Sequence, residues 1–171
     1  MINNDLQAHY IVKKINKQYE LGKKENLIPI YLNNGIEIFS HQVYAACFAL
    51  SNPFVKGFIL ADEAGLGKTI EALLIVSQYA RRNKNALIIV PSPTINDWLQ
   101  DLVRKLEIRA YILDNIERPK NDLYRTTLEN FENGIVITTY DYILSNNEKF
   151  KDIDWNLCIL DEAHRFRSYK I

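Results

Sequence analysis

The chain has 171 residues, 47% of them hydrophobic and 25% charged, with 21 lysines and arginines against 21 aspartates and glutamates. Ordinary apolar content and balanced charge exclude an intrinsically disordered chain, and no run approaches the ~20 apolar residues that a bilayer-spanning helix requires. Zero net charge means that any nucleic-acid contact has to come from a local patch.

The length suits one domain. With Cys47 and Cys158 as the two cysteines, neither a disulfide framework nor a thiolate metal site is expected. Both sit among apolar neighbours and read as inert core thiols in a reducing compartment. Met1-Ile2-Asn3-Asn4-Asp5 lacks a basic segment followed by an apolar one, so no secretory signal is expected.

In chain order, residues 4–25 read as a polar helix carrying Lys13, Lys14, Lys17, Lys23 and Lys24. Residues 29–32 and 36–39 flank Asn33-Asn34-Gly35, a hairpin signal because Asn and Gly tolerate the positive φ of such turns. A helix over 40–50 follows and closes at Ser51-Asn52-Pro53. From Gly57 the pattern becomes short apolar strands alternating with helices, with strands expected over 57–61, Ala86–Val90, Ala110–Leu113, Ile135–Thr139 and Leu157–Leu160. Near-continuous apolar runs of this kind belong to a parallel sheet covered on both faces. The helix after Thr69 has almost no polar face and is expected to be buried on several sides. Ile95, Trp98, Leu99, Leu102, Val103 and Leu106 recur at helical spacing on one stripe. Ser92 and Pro93 suit the cap and first position of that helix.

Two segments carry chemistry. Ala61-Asp62-Glu63-Ala64-Gly65-Leu66-Gly67-Lys68-Thr69 falls between an expected strand and a helix. A phosphate-binding loop needs glycines so that backbone N–H groups converge, a lysine for the β- and γ-phosphates, and a hydroxyl for Mg2+. Gly65, Gly67, Lys68 and Thr69 meet that list, although Asp62 replaces the usual first glycine. Farther on, an apolar run ends in Asp161-Glu162-Ala163-His164. A metal on the first carboxylate and a water oriented by the second would use both charges. An acidic helix start is the simpler reading of Asp161-Glu162 taken alone.

In order and spacing, "HQVYAACFAL", "ILADEAGLGKTIEA", "LIIVPSPTINDWLQDL", "VITTYDYI" and "ILDEAHRFR" resemble motifs Q, I, Ia, Ib and II of superfamily-two helicase-like ATPases. Within that group they look like the Swi/Snf branch of double-strand translocases and are most similar to its bacterial RapA-like subgroup. The likeness covers residues 36–168, and Asp62 is usual for the branch. It implies an α/β fold, a RecA-like lobe with a parallel sheet flanked by helices over 36–171, after an N-terminal helix and hairpin extension over 1–35.

It also implies ATP and Mg2+ as cofactors. Gln42 would read adenine, while Gly65, Leu66, Gly67, Lys68 and Thr69 would bind phosphates. Thr69 and Asp161 would hold Mg2+, Glu162 would polarise the attacking water, and His164 would couple hydrolysis to the rest of the machine. Phe39 stands where many relatives carry an arginine. Pro91, Ser92, Thr94, Thr138, Thr139 and Tyr140 would face the backbone of double-stranded DNA, with RNA as the other nucleic acid to test. Ser92 reads equally as a plain helix cap, and Thr138 and Thr139 equally as strand-end residues.

The resemblance further implies a second RecA-like lobe with an arginine finger beyond Ile171, so negligible turnover is expected of this stretch alone. A strand beyond Ile171 would also lie between the 57–61 and Leu157–Leu160 strands. Without it, the last strand is expected to be displaced, the two strands to close up, or another copy to supply pairing by self-association. Abundant Asn, Ile and Lys point to an AT-rich genome and to the cytoplasm of a bacterium, near its nucleoid, with the nucleus as the eukaryotic equivalent. A stand-alone nucleotide-binding or interaction module without hydrolysis is the alternative function.

Overall fold

A computed structural model of the chain describes residues 37–51, 57–61, 63, 65–115, 123–124 and 126–168. The expected polar helix over 4–25, the Asn33-Asn34-Gly35 turn and the first hairpin strand lie outside them, as does the N-terminal extension. Residues 37–39 are described and form no strand, so the hairpin's second arm is not seen there.

Four parallel strands form one sheet: β1 (Ala86–Val90), β2 (Ala110–Leu113), β3 (Ile135–Thr139) and β4 (Leu157–Leu160). Their order across the sheet is β2-β3-β1-β4, and all four match the spans expected from the sequence. Registers such as Ile88↔Ile137 and Ile88↔Ile159 align the strand ends, so the residues after each strand gather along one edge. Every residue of β1 and β3 is buried. Alternation along β1 explains why: Ala86, Ile88 and Val90 enter one core, while Leu87 and Ile89 enter the other.

Helices cover both faces. On the first lie α1 (Ser40–Ser51), α2 (Lys68–Ala80) and α3 (Ile95–Gln100). The second is covered by α4 (Tyr140–Ser145), α5 (Asn147–Lys151) and a cluster of Phe131, Phe150 and Trp155, with Phe131 and Trp155 stacked at 5.5 Å. Eight consecutive residues of α2, from Glu71 to Gln78, are buried, as its lack of a polar face foretold. The α3 stripe also holds, with Ile95, Trp98, Leu102 and Leu106 buried, but a wider π turn over Asp101–Lys105 continues the helix. Ser92 does not cap it. Instead Ser92–Thr94 form a 3-10 turn entered from Pro91, with Thr94 Oγ1 donating to the Pro91 carbonyl at 3.0 Å.

One strand is missing. Residues 57–61 form no strand, and Phe58 and Ile59 are 41% and 84% exposed. The expectations for an incomplete sheet were a displaced last strand, closure, or pairing with another copy. Here β4 keeps its place on β1, and 57–61 is the segment left outside the sheet. Among the described residues nothing pairs with the far edge of β4, so no ladder reaches 57–61. Along β4 exposure alternates, Cys158 and Leu160 lying on the less covered face, so Cys158 is exposed rather than a core thiol, whereas Cys47 is buried.

Asn85 ties the strand starts together. Its Oδ1 accepts from Gly134 N–H, its Nδ2 donates to the Asp154 carbonyl, and its backbone N–H donates to Asn156 Oδ1. Among the described residues no helix is long and apolar enough to cross a membrane.

Candidate functional site

The loop before α2 is built by two glycines in the left-handed region, Gly65 at φ 91° and Gly67 at φ 85°. Gly67 is the residue before the helix, and no side chain caps α2. A helix begun this way can take an anion as its cap, with its dipole adding to the attraction. Lys68 Nζ reaches back over the loop to donate to the Glu63 carbonyl at 3.0 Å. Thr69 lies half-buried in the first turn beside it.

Gln42 comes to the loop from α1. Only 3% exposed, it accepts at Oε1 from Phe39 N–H (3.1 Å) and donates from Nε2 to the Leu66 carbonyl (3.0 Å). His41 Nε2 sits 3.3 Å from the same carbonyl, and the exposed Phe39 ring stacks on His41 at 5.8 Å. Gln42 therefore binds the loop to α1 whatever else it touches. A Cβ at Gly67 would collide with Gln42 Nε2, whereas one at Gly65 would meet nothing within 4 Å. Both positions strain an L side chain by about 1–2 kcal/mol. Gly67→Ala is therefore expected to lower the urea midpoint more than Gly65→Ala, and to loosen the Gln42–Leu66 bond. Equal midpoints for the two variants would show that Gln42 yields freely.

Orientation puts the loop and the acidic segment at one end. A groove of about 540 Å³ is lined jointly by Ala80 and Arg81, from the end of α2, and by Gly134 and Ile135, from the start of β3. The end of α2 thus lies beside the strand starts, and its 13 residues run about 20 Å back toward the strand ends, where Asp161 stands.

Asp161 extends β4 by one bond, its N–H donating to the Ile89 carbonyl at 2.9 Å. Two side chains hold it from opposite faces of the sheet. Trp98 Nε1 donates to Asp161 Oδ2 at 2.9 Å, and the Tyr140 hydroxyl donates to the Asp161 carbonyl at 2.6 Å. Neither partnership was anticipated from the sequence. The available signal was that a buried indole N–H or phenol needs a polar partner. Glu162 adopts φ 52°, a left-handed conformation unusual for a residue with a Cβ, and its Oε2 lies 3.1 Å from His164 Nδ1. Both side chains are exposed, so Glu162 and His164 meet at an accessible place, a contact the sequence did not indicate.

The expected nucleic-acid residues divide. Ser92 is exposed and Thr94 half-buried on the turn after β1. Thr138, Thr139 and Tyr140 are buried, and their hydroxyls are bonded inside the protein. Thr138 Oγ1 donates to the Leu113 carbonyl, Thr139 Oγ1 caps α4 by accepting from Tyr142 N–H, and Tyr140 holds Asp161. Burial on both faces of the sheet encloses the side chains that the resemblance placed toward DNA.

A hydroxyl and a carboxylate are hard oxygen donors, the kind Mg2+ takes, and Asp161 Oδ1 accepts nothing from the described residues. Among the described residues no group of three or more His, Cys, Asp or Glu could hold a metal by itself. A cation here would need few protein ligands and share phosphate oxygens and waters, as Mg2+ commonly does. Thr69 and Asp161 offer oxygen donors of that kind.

Against known proteins, the SNF2-related domain family model matches residues 16–171. The chain is 30% identical over 144 residues to the ISWI chromatin-remodeling complex ATPase ISW1 of Saccharomyces cerevisiae, covering 82% of this chain and 13% of that protein. It is 34% identical over 133 residues to the RNA polymerase-associated protein RapA of Photobacterium profundum, covering 74% of this chain and 13% of that protein. A Sulfolobus solfataricus SWI2/SNF2 ATPase core solved in complex with dsDNA superposes with a TM-score of 0.62 at 22% identity, over 81% of this chain and 28% of that one. That likeness shows the fold, a parallel sheet flanked by helices as in a RecA-like lobe. The chain thus spans only 13% of the length of these curated relatives.

Proposed function

Because the chain belongs to the SNF2-related domain family, we propose that it is the first lobe of a DNA-dependent ATPase. Joined to a second lobe, it would hydrolyse ATP to move on double-stranded DNA or displace bound proteins. One observation carries this reading. An uncapped helix starts at a left-handed glycine with Lys68 over the loop, at the sheet end that also presents Asp161 and Glu162.

The roles follow from position. Amides of Gly65, Leu66, Gly67, Lys68 and Thr69 would surround the phosphates, with the Lys68 ammonium leaving the Glu63 carbonyl for a phosphate oxygen. Gln42 would set the loop height through Leu66 and offer its remaining Nε2 hydrogen to adenine. Thr69 and Asp161 would hold Mg2+, which when bound neutralises charge on the β- and γ-phosphates. Glu162 would orient the attacking water, and His164 at 3.1 Å would steady its carboxylate. On the nucleic-acid side, the exposed Ser92 is the candidate phosphate contact, and Thr94 would have to release the Pro91 carbonyl to donate to a phosphate.

ATP hydrolysis by the full protein is expected to rise with duplex DNA, and DNA binding to fall steeply with salt, because the contacts are to phosphates. Titrating duplex DNA, single-stranded DNA and RNA into an ATPase assay at two salt concentrations tests this. No response to any of them would overturn the translocase reading, and no hydrolysis under any condition would favour a nucleotide-binding module.

A further inference from the structure

Trp98 is 4% exposed, and its indole N–H is a donor only. As packing, its need for a partner could be met by any nearby carbonyl. Trp155 does so, donating to the Phe150 carbonyl at 2.9 Å. Trp98 instead donates to a carboxylate oxygen of Asp161, at the end of a strand 63 residues away in sequence. Placing a carboxylate against a buried ring is costly unless it is hydrogen-bonded, and here the indole N–H supplies that bond and fixes which oxygen it holds.

The remaining bonds show what is oriented. The Asp161 N–H is fixed on Ile89, its carbonyl is fixed by Tyr140, and Oδ2 is fixed by Trp98. Backbone and one oxygen are thus held, and the plane of the carboxylate with them, while Oδ1 takes no bond from the described residues. Trp98 cannot easily move either. Ile95, one turn earlier on α3, is 1% exposed in the same core as Leu102.

We propose that Trp98 is a positioning residue for metal-assisted nucleotide binding: its indole N–H turns Asp161 so that Oδ1 faces the Mg2+ of the bound nucleotide. This rests on the reading of Asp161 as a Mg2+ ligand, given above. It adds a group that touches neither nucleotide nor metal and acts through one hydrogen bond.

The chain contains two tryptophans, so 15N NMR of the full chain reads two indole N–H signals, one a built-in control. Adding ADP with Mg2+ is expected to shift the Trp98 signal beyond the shift with ADP alone, and to leave Trp155 in place. Trp98→Phe keeps a ring and removes the donor. By calorimetry it is expected to raise the Mg2+ concentration needed for ADP binding by about tenfold, with Mg2+-free ADP affinity unchanged. A Trp98 signal indifferent to Mg2+ overturns the proposal, as does a Trp98→Phe variant with parental Mg2+ dependence. Equal weakening with and without Mg2+ also overturns it, since that marks a purely structural residue. If the variant does not fold, the NMR shift of the parent chain decides alone. Asp161→Asn separates the two readings: parental Mg2+ dependence there removes Asp161 as a ligand, whereas a loss there with none in Trp98→Phe removes only Trp98.

Discussion

Lys68→Ala is expected to weaken ADP binding by about ten- to hundredfold, the loss of one hydrogen bond to a charged group worth about 1.5–3 kcal/mol. In the structure the ammonium donates to the Glu63 carbonyl, a backbone group at an exposed loop. Exchanging that acceptor for a phosphate oxygen replaces a dipole with a charge, which roughly doubles the strength of the bond. The side chain lies half-buried at the first position of α2, so its removal opens no core cavity. Thermal stability without nucleotide is therefore expected to stay near that of the parent, while calorimetry shows the loss of affinity. Lys68→Arg is not a safe replacement, because a planar fork cannot follow the flexible stem over so tight a loop. Equal ADP affinity in parent and Lys68→Ala would remove the loop from nucleotide binding.

The sheet was legible in the sequence because apolar runs in a doubly covered parallel sheet have few alternatives. β1 and β3 are the clearest case, each buried along its whole length. The same rule failed at 57–61, whose residues are as apolar as those of β1. Apolarity makes a strand only where a neighbour supplies the ladder, and none of the described residues pairs there. The positions of Gly67, Lys68 and Thr69 were likewise legible, since a left-handed residue before a helix calls for glycine. What the sequence could not show was which polar groups the fold would use for itself. Thr138, Thr139 and Tyr140 were placed toward DNA by resemblance, and in the fold Leu113, Tyr142 and Asp161 take up their hydroxyls. Trp98 was hidden by its own pattern. It fits the apolar stripe so well that its one polar atom was not counted, and that atom is the one that reaches Asp161.

Glu162→Gln is expected to leave ADP binding and stability unchanged while lowering ATP hydrolysis by the full protein about 10²- to 10⁴-fold, the usual contribution of a positioned base. Stability is insensitive because the contact of the carboxylate among the described residues, 3.1 Å from His164 Nδ1, is between exposed side chains, and such pairs contribute little. Binding is insensitive because a base in the proposed role would act on the attacking water and stabilise the transition state rather than the bound nucleotide. The backbone supplies an independent check. At φ 52° an L residue is strained by about 1–2 kcal/mol, and glutamine would bear that strain equally. Glycine would not. Glu162→Gly relieves it, against about 0.5–1 kcal/mol of added chain entropy in the unfolded state. Thermal denaturation of Glu162→Gly is thus expected at or slightly above the parental temperature, with hydrolysis as low as in Glu162→Gln. A fold that tolerates a strained glutamate where glycine is at least as stable is keeping it for its carboxylate. Parental turnover in Glu162→Gln, or clear destabilisation in Glu162→Gly, would make Glu162 a structural residue instead.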